Sequence, residues 1–174
     1  MKIPIIENLA KRHVKSNFDC QKPALDNYIR TMALQQQKRG LGRTYVAVYE
    51  DNPEVMGYYT LAASKVSFEN WPEDQKLPPN IGAPTILLAR LAVDHRCKGR
   101  KLGEFLLYHA MWRAEKTAQN IGAVALEVDV LDEEALSFYQ KYDFEVLRDH
   151  PLHLFLAMDT IRKLSLDFTD VTQT

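Results

Sequence analysis

Four basic residues and two glycines fall within the eight positions from Arg96 to Gly103, RCKGRKLG. The apolar run Ile86–Val93 precedes them, and a stretch with helical spacing starts at Leu102. A strand that passes through a basic, glycine-containing loop into a helix presents backbone N–H groups and a helix N-terminus to an anion. Phosphate binding is the chemistry open to such a loop, with Arg96, Lys98, Arg100 and Lys101 supplying charge. A basic turn before a helix is also common on protein surfaces, and the loop alone leaves that reading open. The second candidate is Tyr139, within ALSFYQKYDF. A tyrosine, with a pKa of about 10, can serve as a proton donor when it is positioned at a reacting group. Beside Phe138 on an apolar helix face it also reads as a core aromatic. Loop and tyrosine together suggest transfer of a group carried by a phosphate-bearing cofactor.

Other titratable residues are less pointed. Glu127, Asp129, His109 and His153 could each act as a proton acceptor. All four are better read as structural or solvated, and none joins the catalytic assignment. Glu127 and Asp129 share one face of an expected strand. His95 follows the apolar run and reads as exposed, and Tyr142 competes with Tyr139. The two cysteines, Cys20 and Cys97, are far apart and offer no metal-ligand spacing, so no metal site is expected.

Positioning these groups falls to one domain of ordinary size. The chain has 174 residues, 46% of them apolar and 26% charged, a balance typical of a soluble globular protein. No apolar run reaches the roughly 18 residues of a membrane span. The N-terminus has no signal-peptide pattern, and the cysteine usage suits a reduced, cytoplasmic setting. A net charge of −1 argues against binding a polyanion through the bulk field, yet the charge is unevenly spread. Residues 1–43 carry nine Lys/Arg against three Asp/Glu, and residues 127–174 carry four against eleven. The basic end can bind RNA phosphate locally, or its charges sit on solvated helix faces.

Periodicity predicts a short strand over residues 3–8, then a helix from Pro23 with Ala24, Leu25, Tyr28, Ile29, Met32 and Ala33 recurring along it. Gly40 and Gly42 end that region. Thr44–Tyr49 and Val55–Val66 form a hairpin around the turn Asp51-Asn52-Pro53. Phe68–Pro84, with Pro72, Pro78, Pro79 and Pro84, is a loop. Ile86–Val93 is a strand buried on both faces, followed by a helix over Leu102–Thr117 and a strand over Ala123–Val130. Asp132 can cap a helix over Glu133–Lys141. Phe144–Leu147 and Leu152–Met158 close as a hairpin, and the tail after Lys163 is polar and frayed. The order of elements implies an α/β fold built on a mixed sheet.

From about Phe18 to about Ile161 the chain resembles the GCN5-related N-acetyltransferases (GNAT). The family's pyrophosphate loop reads Gln/Arg-x-x-Gly-x-Gly/Ala. The aligned stretch here is Lys98-Gly99-Arg100-Lys101-Leu102-Gly103, with Lys98 at the first position, Lys101 in place of the first glycine, and Gly103 kept. Lys101 could adopt an ordinary φ there and still donate its N–H, and could add charge near the phosphates. Asp132-x-x-Ala135-x-x-Phe138-Tyr139 followed by Phe144 matches the tyrosine segment, with Asp143 where the family has glycine. The resemblance implies a GNAT fold: a twisted, mostly antiparallel sheet flanked by helices on both faces, with splayed central strands. It implies acetyl-coenzyme A as cofactor. Leu91, Ala92 and Val93 would face the pantetheine arm, and a slot would open beside Glu127–Val130. Arg96, Lys98, Gly99, Arg100, Lys101, Leu102, Gly103 and Asp132 complete the implied cofactor site, and Tyr139 is the implied general acid. The domain would span 1–163, with 164–174 a tail.

Phe18-Asp19-Cys20, Leu25-Asp26, Arg43-Thr44-Tyr45-Val46 and Gly57-Tyr58-Tyr59-Thr60-Leu61 narrow the likeness to acetyltransferase toxins of bacterial toxin–antitoxin pairs. That likeness implies aminoacyl-tRNA as acceptor, a small ribbon–helix–helix antitoxin as partner, and a homodimer. Lys11, Arg12, Lys15, Lys22, Arg30, Lys38, Arg39 and Arg43 would form the tRNA surface, extended by Arg90 and Arg96. Acetylation of a small amine or a protein amine, or a non-catalytic coenzyme A-binding role, are the alternatives.

Overall fold

The computed structural model describes residues 3–74 and 82–173. Part of the expected Phe68–Pro84 loop, including Pro78 and Pro79, lies outside the described residues. Among the described residues the strands are β1 (Ile5–Asn8), β2 (Arg43–Tyr49), β3 (Asn52–Val66), β4 (Ala83–Val93), β5 (Ala125–Asp129), β6 (Glu145–Val146), β7 (His153–Ala157) and β8 (Thr172–Gln173). The helices are α1 (Pro23–Asn27), α2 (Ala33–Lys38), α3 (Leu102–Ile121), α4 (Glu133–Gln140) and α5 (Met158–Lys163), with a π-helical turn, Tyr28–Met32, joining α1 to α2. The strand order is β6-β7-β5-β4-β3-β2-β1-β8. This is the mixed, mostly antiparallel α/β sheet expected. The chain divides into two compact units.

The first unit comprises Met1–Ala62, Arg90–Ala110 and Asp167–Thr174. In it β1 pairs antiparallel with β2, and β2 with β3, in a register that sets Val46 opposite Tyr58. Val55 to Leu61 are buried without a break, as in a strand covered on both faces. Phe18, Tyr28, Ile29, Ala33, Val46 and Tyr58 share one apolar cluster. Tyr58 lies edge-on to Phe18 at 5.5 Å, and its hydroxyl donates to the carbonyl of Leu25 at 2.8 Å. The helical face differs from expectation at Ala24, which is exposed, and at Met32. Met32 is exposed, whereas Ala33 is fully buried. The π turn adds a residue to the repeat, so the apolar stripe steps from Ile29 to Ala33.

The polar tail is ordered, contrary to expectation. Thr172 and Gln173 pair parallel with Ile6 and Glu7 of β1. Phe168 packs edge-on to Phe105 at 5.4 Å and to His109 at 5.3 Å. Phe168 is half-buried, and its ring, which helps to hold the tail, contributes less than the roughly 1.5–3 kcal/mol of a fully buried one.

The second unit comprises Ala63–Ala89 and Met111–Leu166. Its core gathers Val66, Trp71, Ala83, Ala125, Leu147 and Phe155, with Trp71 edge-on to Phe155 at 4.9 Å. The parallel ladder between β4 and β5 runs from Thr85↔Ala125 to Leu87↔Glu127. Val128 and Asp129 continue the ladder with β7. The strand expected from Ile86 starts at Ala83 and takes in Pro84, a position near a strand start that tolerates a missing N–H. Asp132 caps α4 as expected, accepting from the Ala135 N–H at 2.8 Å. Asp143, at φ 66°, makes the left-handed turn after α4. The helix α5 was not expected; its Met158 and Ile161 are buried.

Candidate active site

The basic loop is anchored in the first unit by a carboxylate. Asp94 is fully buried, and its Oδ1 accepts from the Arg96 N–H at 3.0 Å and from Nε at 2.7 Å. Its Oδ2 accepts from the Asp19 N–H at 3.1 Å and from the Arg96 guanidinium at 3.0 Å. Burial alone would raise this carboxyl. The bonds from Arg96 and Asp19 outweigh it and hold the pKa at about 2. Arg96 also donates to Glu54 at 3.0 Å. Its guanidinium is therefore shared between two carboxylates. Lys98, Arg100 and Lys101 are exposed, as is Arg96.

Two residues of the loop take left-handed backbone conformations. Gly99 has φ 76° and Lys101 has φ 59°. Lys101 thus does not adopt an ordinary φ: the lysine takes the left-handed conformation that suits the glycine of the family pattern. The first helical bond of α3 runs from the Phe105 N–H to the Lys101 carbonyl at 3.0 Å. The amides of Leu102, Gly103 and Glu104 therefore precede the helix's own bonding pattern. Gly57 lets α3 approach β3. A Cβ there would meet Leu106 Cδ1 at 2.7 Å and the Ala92 carbonyl oxygen at 3.2 Å. Leu91 and Val93 of β4 are half-buried, and Ala92 is buried. Beside the loop, Tyr49, Arg100, Lys101, Phe105, Tyr108 and Phe168 help line a cleft of about 380 Å³.

Tyr139 belongs to the second unit. It is buried, with ring contacts to Phe138 at 5.2 Å and Phe144 at 5.3 Å. Burial pushes its hydroxyl above the usual tyrosine range, so at neutral pH it is a proton donor, not a phenolate. Tyr142 is half-buried and packs on Phe138 at 5.2 Å. The Asp132 carboxylate caps α4.

The base candidates differ sharply. His109 is fully buried and both ring nitrogens are bonded, Nδ1 to the Tyr59 hydroxyl at 2.7 Å and Nε2 to the Thr172 hydroxyl at 2.9 Å. That is a structural role. Glu127 is buried and accepts from Ser64 at 2.8 Å and Thr85 at 2.7 Å. Asp129 is exposed, and His95 is exposed as expected. His153 sits beside Asp149, a residue that sequence reasoning passed over. Asp94 was passed over too, although an aspartate two positions before an arginine at a strand end is a legible signal for a local cap.

The model of the acetyltransferase (GNAT) family matches residues 12–144. The chain belongs to the GNAT acetyltransferase family. The matched residues of this GNAT chain include the basic loop and Tyr139. A tRNA-acetylating toxin of Mycobacterium tuberculosis (strain ATCC 25618 / H37Rv) is 38% identical over 149 residues, covering 86% of this chain and 89% of the relative. The structure of AtaT complexed with acetyl-methionyl-tRNAfMet superposes with a TM-score of 0.87 at 28% identity, covering 94% of this chain and all of that one. A tyrosine-to-phenylalanine mutant of AtaT bound to the C-terminus of the antitoxin AtaR superposes with a TM-score of 0.82 at 26% identity, covering 94% of this chain and 99% of that one. Among the described residues no helix is long and apolar enough to cross a membrane, and no cluster of metal-ligating side chains occurs.

Proposed function

We propose that this GNAT enzyme moves an acetyl group from acetyl-coenzyme A to the α-amino group of aminoacyl-tRNA, as the toxin of a toxin–antitoxin pair. The observation that carries this reading is the 38% identity with a tRNA-acetylating toxin across 86% of the chain. The residues present suit the cofactor. Two left-handed residues, Gly99 and Lys101, shape the loop before α3, and exposed Lys98, Arg100 and Lys101 surround it. In this reading Lys98, Gly99, Arg100, Lys101, Leu102 and Gly103 hold the pyrophosphate. Leu91, Ala92 and Val93 offer backbone groups to the pantetheine arm. Arg96 positions the loop through Asp94, and Asp132 acts through the start of α4. Bound acetyl-coenzyme A supplies an acyl thioester whose sulfur departs as a thiol. Tyr139 is the general acid: its hydroxyl, kept protonated by burial, gives its proton to that sulfur.

The acceptor surface lies with the basic residues of the first unit. Arg12 is paired with Glu7, and Arg30 donates to the Phe18 carbonyl. Arg90 stacks over the Tyr28 ring, 3.6 Å from its centre. Exposed Lys38, Arg39 and Arg43, at the end of α2 and the start of β2, are the proposed phosphate contacts. A small ribbon–helix–helix antitoxin, a homodimeric enzyme and a cytoplasmic location complete the reading. A cell-free translation system tests it. Protein plus acetyl-coenzyme A should stop synthesis, and freshly charged tRNA should restore it. Undiminished synthesis in the presence of both would refute the proposal.

A further inference from the structure

His153 opens β7, beyond the residues that the family model matches. Its Nδ1 lies 3.0 and 2.8 Å from the two carboxylate oxygens of Asp149. That contact holds the ring proton on Nδ1 and leaves a lone pair on Nε2. Nε2 is buried and has no hydrogen-bond partner. It lies 3.7 Å from Glu127 Oε1 and 4.0 Å from Asp129 Oδ1, both beyond hydrogen-bond reach.

The other buried histidines behave differently. His109 uses both nitrogens, and so does His13, with the Ala10 N–H at 2.9 Å and Glu7 at 2.7 Å. At His153 one side is fixed and the other, buried beside carboxylates, has no hydrogen-bond partner. Glu127 does not depend on the histidine for donors, because Ser64 and Thr85 already supply them. An N–H group about 2.8 Å from Nε2 could also reach Glu127 Oε1 or Asp129 Oδ1, given the spans of 3.7 and 4.0 Å. A lone pair beside two carboxylates suits a nitrogen that carries several hydrogens and gains positive charge as it reacts.

We infer that His153 is the proton acceptor for the attacking amine, oriented by Asp149 and assisted by Glu127 and Asp129. The inference rests on the reading of the enzyme as an amine acetyltransferase. The amine nitrogen bonds to the acetyl carbon as the carbon–sulfur bond breaks. One proton passes from that nitrogen to His153 Nε2, and one passes from the Tyr139 hydroxyl to the departing sulfur. Exchange with water then returns the imidazole and the tyrosine to their starting states, so the step balances as amine plus thioester giving amide plus thiol. The charged groups facing the imidazole are Asp149, before β7, and Glu127 and Asp129 on β5. Burial alone would lower its pKa. The Asp149 bond and the three carboxylate charges outweigh that and raise it above the ordinary histidine value, which brings the base closer to neutral pH.

Two measurements test this. The first is ¹⁵N NMR of the imidazole in the protein without cofactor. It should show the neutral proton on Nδ1 and a pKa above that of free histidine, shifted down in Asp149→Asn. The second is acetyl transfer by His153→Gln. Its kcat should fall by about 100-fold or more, with unchanged acetyl-coenzyme A affinity and unfolding midpoint. In Asp149→Asn the acid limb of the rate profile should move to lower pH. A proton on Nε2, or a His153→Gln variant within about threefold of wild type, would overturn the assignment, as would a loss of rate matched by loss of fold or cofactor affinity. Should charged tRNA stay unlabelled while a peptide amine is acetylated, the substrate reading fails and the variants are compared on the peptide. Each idea can therefore fail on its own.

Discussion

A carboxylate without exposure to water needs compensation, and Asp94 obtains it from Arg96 and the Asp19 N–H. Its folded pKa of about 2 lies below the unfolded value of about 3.9. The stabilisation is therefore present above about pH 4 and is lost as pH falls toward 2. Asp94→Asn should be the less stable protein at pH 7, and its deficit should shrink between about pH 4 and pH 2. Denaturant titrations across that range check this, and parallel curves would contradict it. Lys101 makes a second residue-scale case. A side chain at φ 59° is strained, so Lys101→Gly should raise stability by about 0.5–1 kcal/mol while Lys101→Ala should not. Thermal melts of both variants decide it; equal melting points would deny the strain. The position of Lys101 in the motif was legible in the sequence. Its φ was not, because loop geometry is set by the start of α3 and the Asp94 anchor, which no local spacing reveals.

At the level of elements, the long periodic segments were legible: β2, β3, β4, α3 and α4 fall close to where apolar spacing and the Asp132 cap put them. The exceptions have physical reasons. Met32 turned outward because a π turn broke the 3.6-residue repeat. Thr172 and Gln173 joined β1 through a pairing about 165 residues distant in sequence, which local patterning cannot report. Gly57 reads as a toxin-family motif residue, yet its visible work is packing. Gly57→Ala should cost about 1–3 kcal/mol, because the new methyl group would press on Leu106 and the Ala92 carbonyl. Urea unfolding measures this, and a change below about 0.5 kcal/mol would show that Leu106 simply moves aside. Of the candidate site, the loop and Tyr139 were visible as motifs. The Asp149–His153 pair emerged only when the β6–β7 turn set its two side chains together.

For the molecule as a whole, a net charge of −1 conceals a basic N-terminal end. If Lys38 and Arg39 meet tRNA phosphates, reversing both to glutamate should weaken tRNA binding and flatten its dependence on salt, by a slope of roughly 0.7–0.9 per lost phosphate contact. Acetyl-coenzyme A binding should be unaffected. Binding titrations between about 50 and 200 mM salt read both effects, and an unchanged salt slope would move the RNA surface elsewhere. Family membership and the tRNA-acetylating relative point to one reaction, and a single measurement tests it most directly. Labelled acetyl-coenzyme A is incubated with a pool of charged tRNA and either the wild type or Tyr139→Phe. The account predicts label on the aminoacyl group, released by mild alkali as an N-acetyl amino acid, with a rate at least about 100-fold lower in the variant. Label absent from charged tRNA, or transferred equally well by Tyr139→Phe, would contradict it.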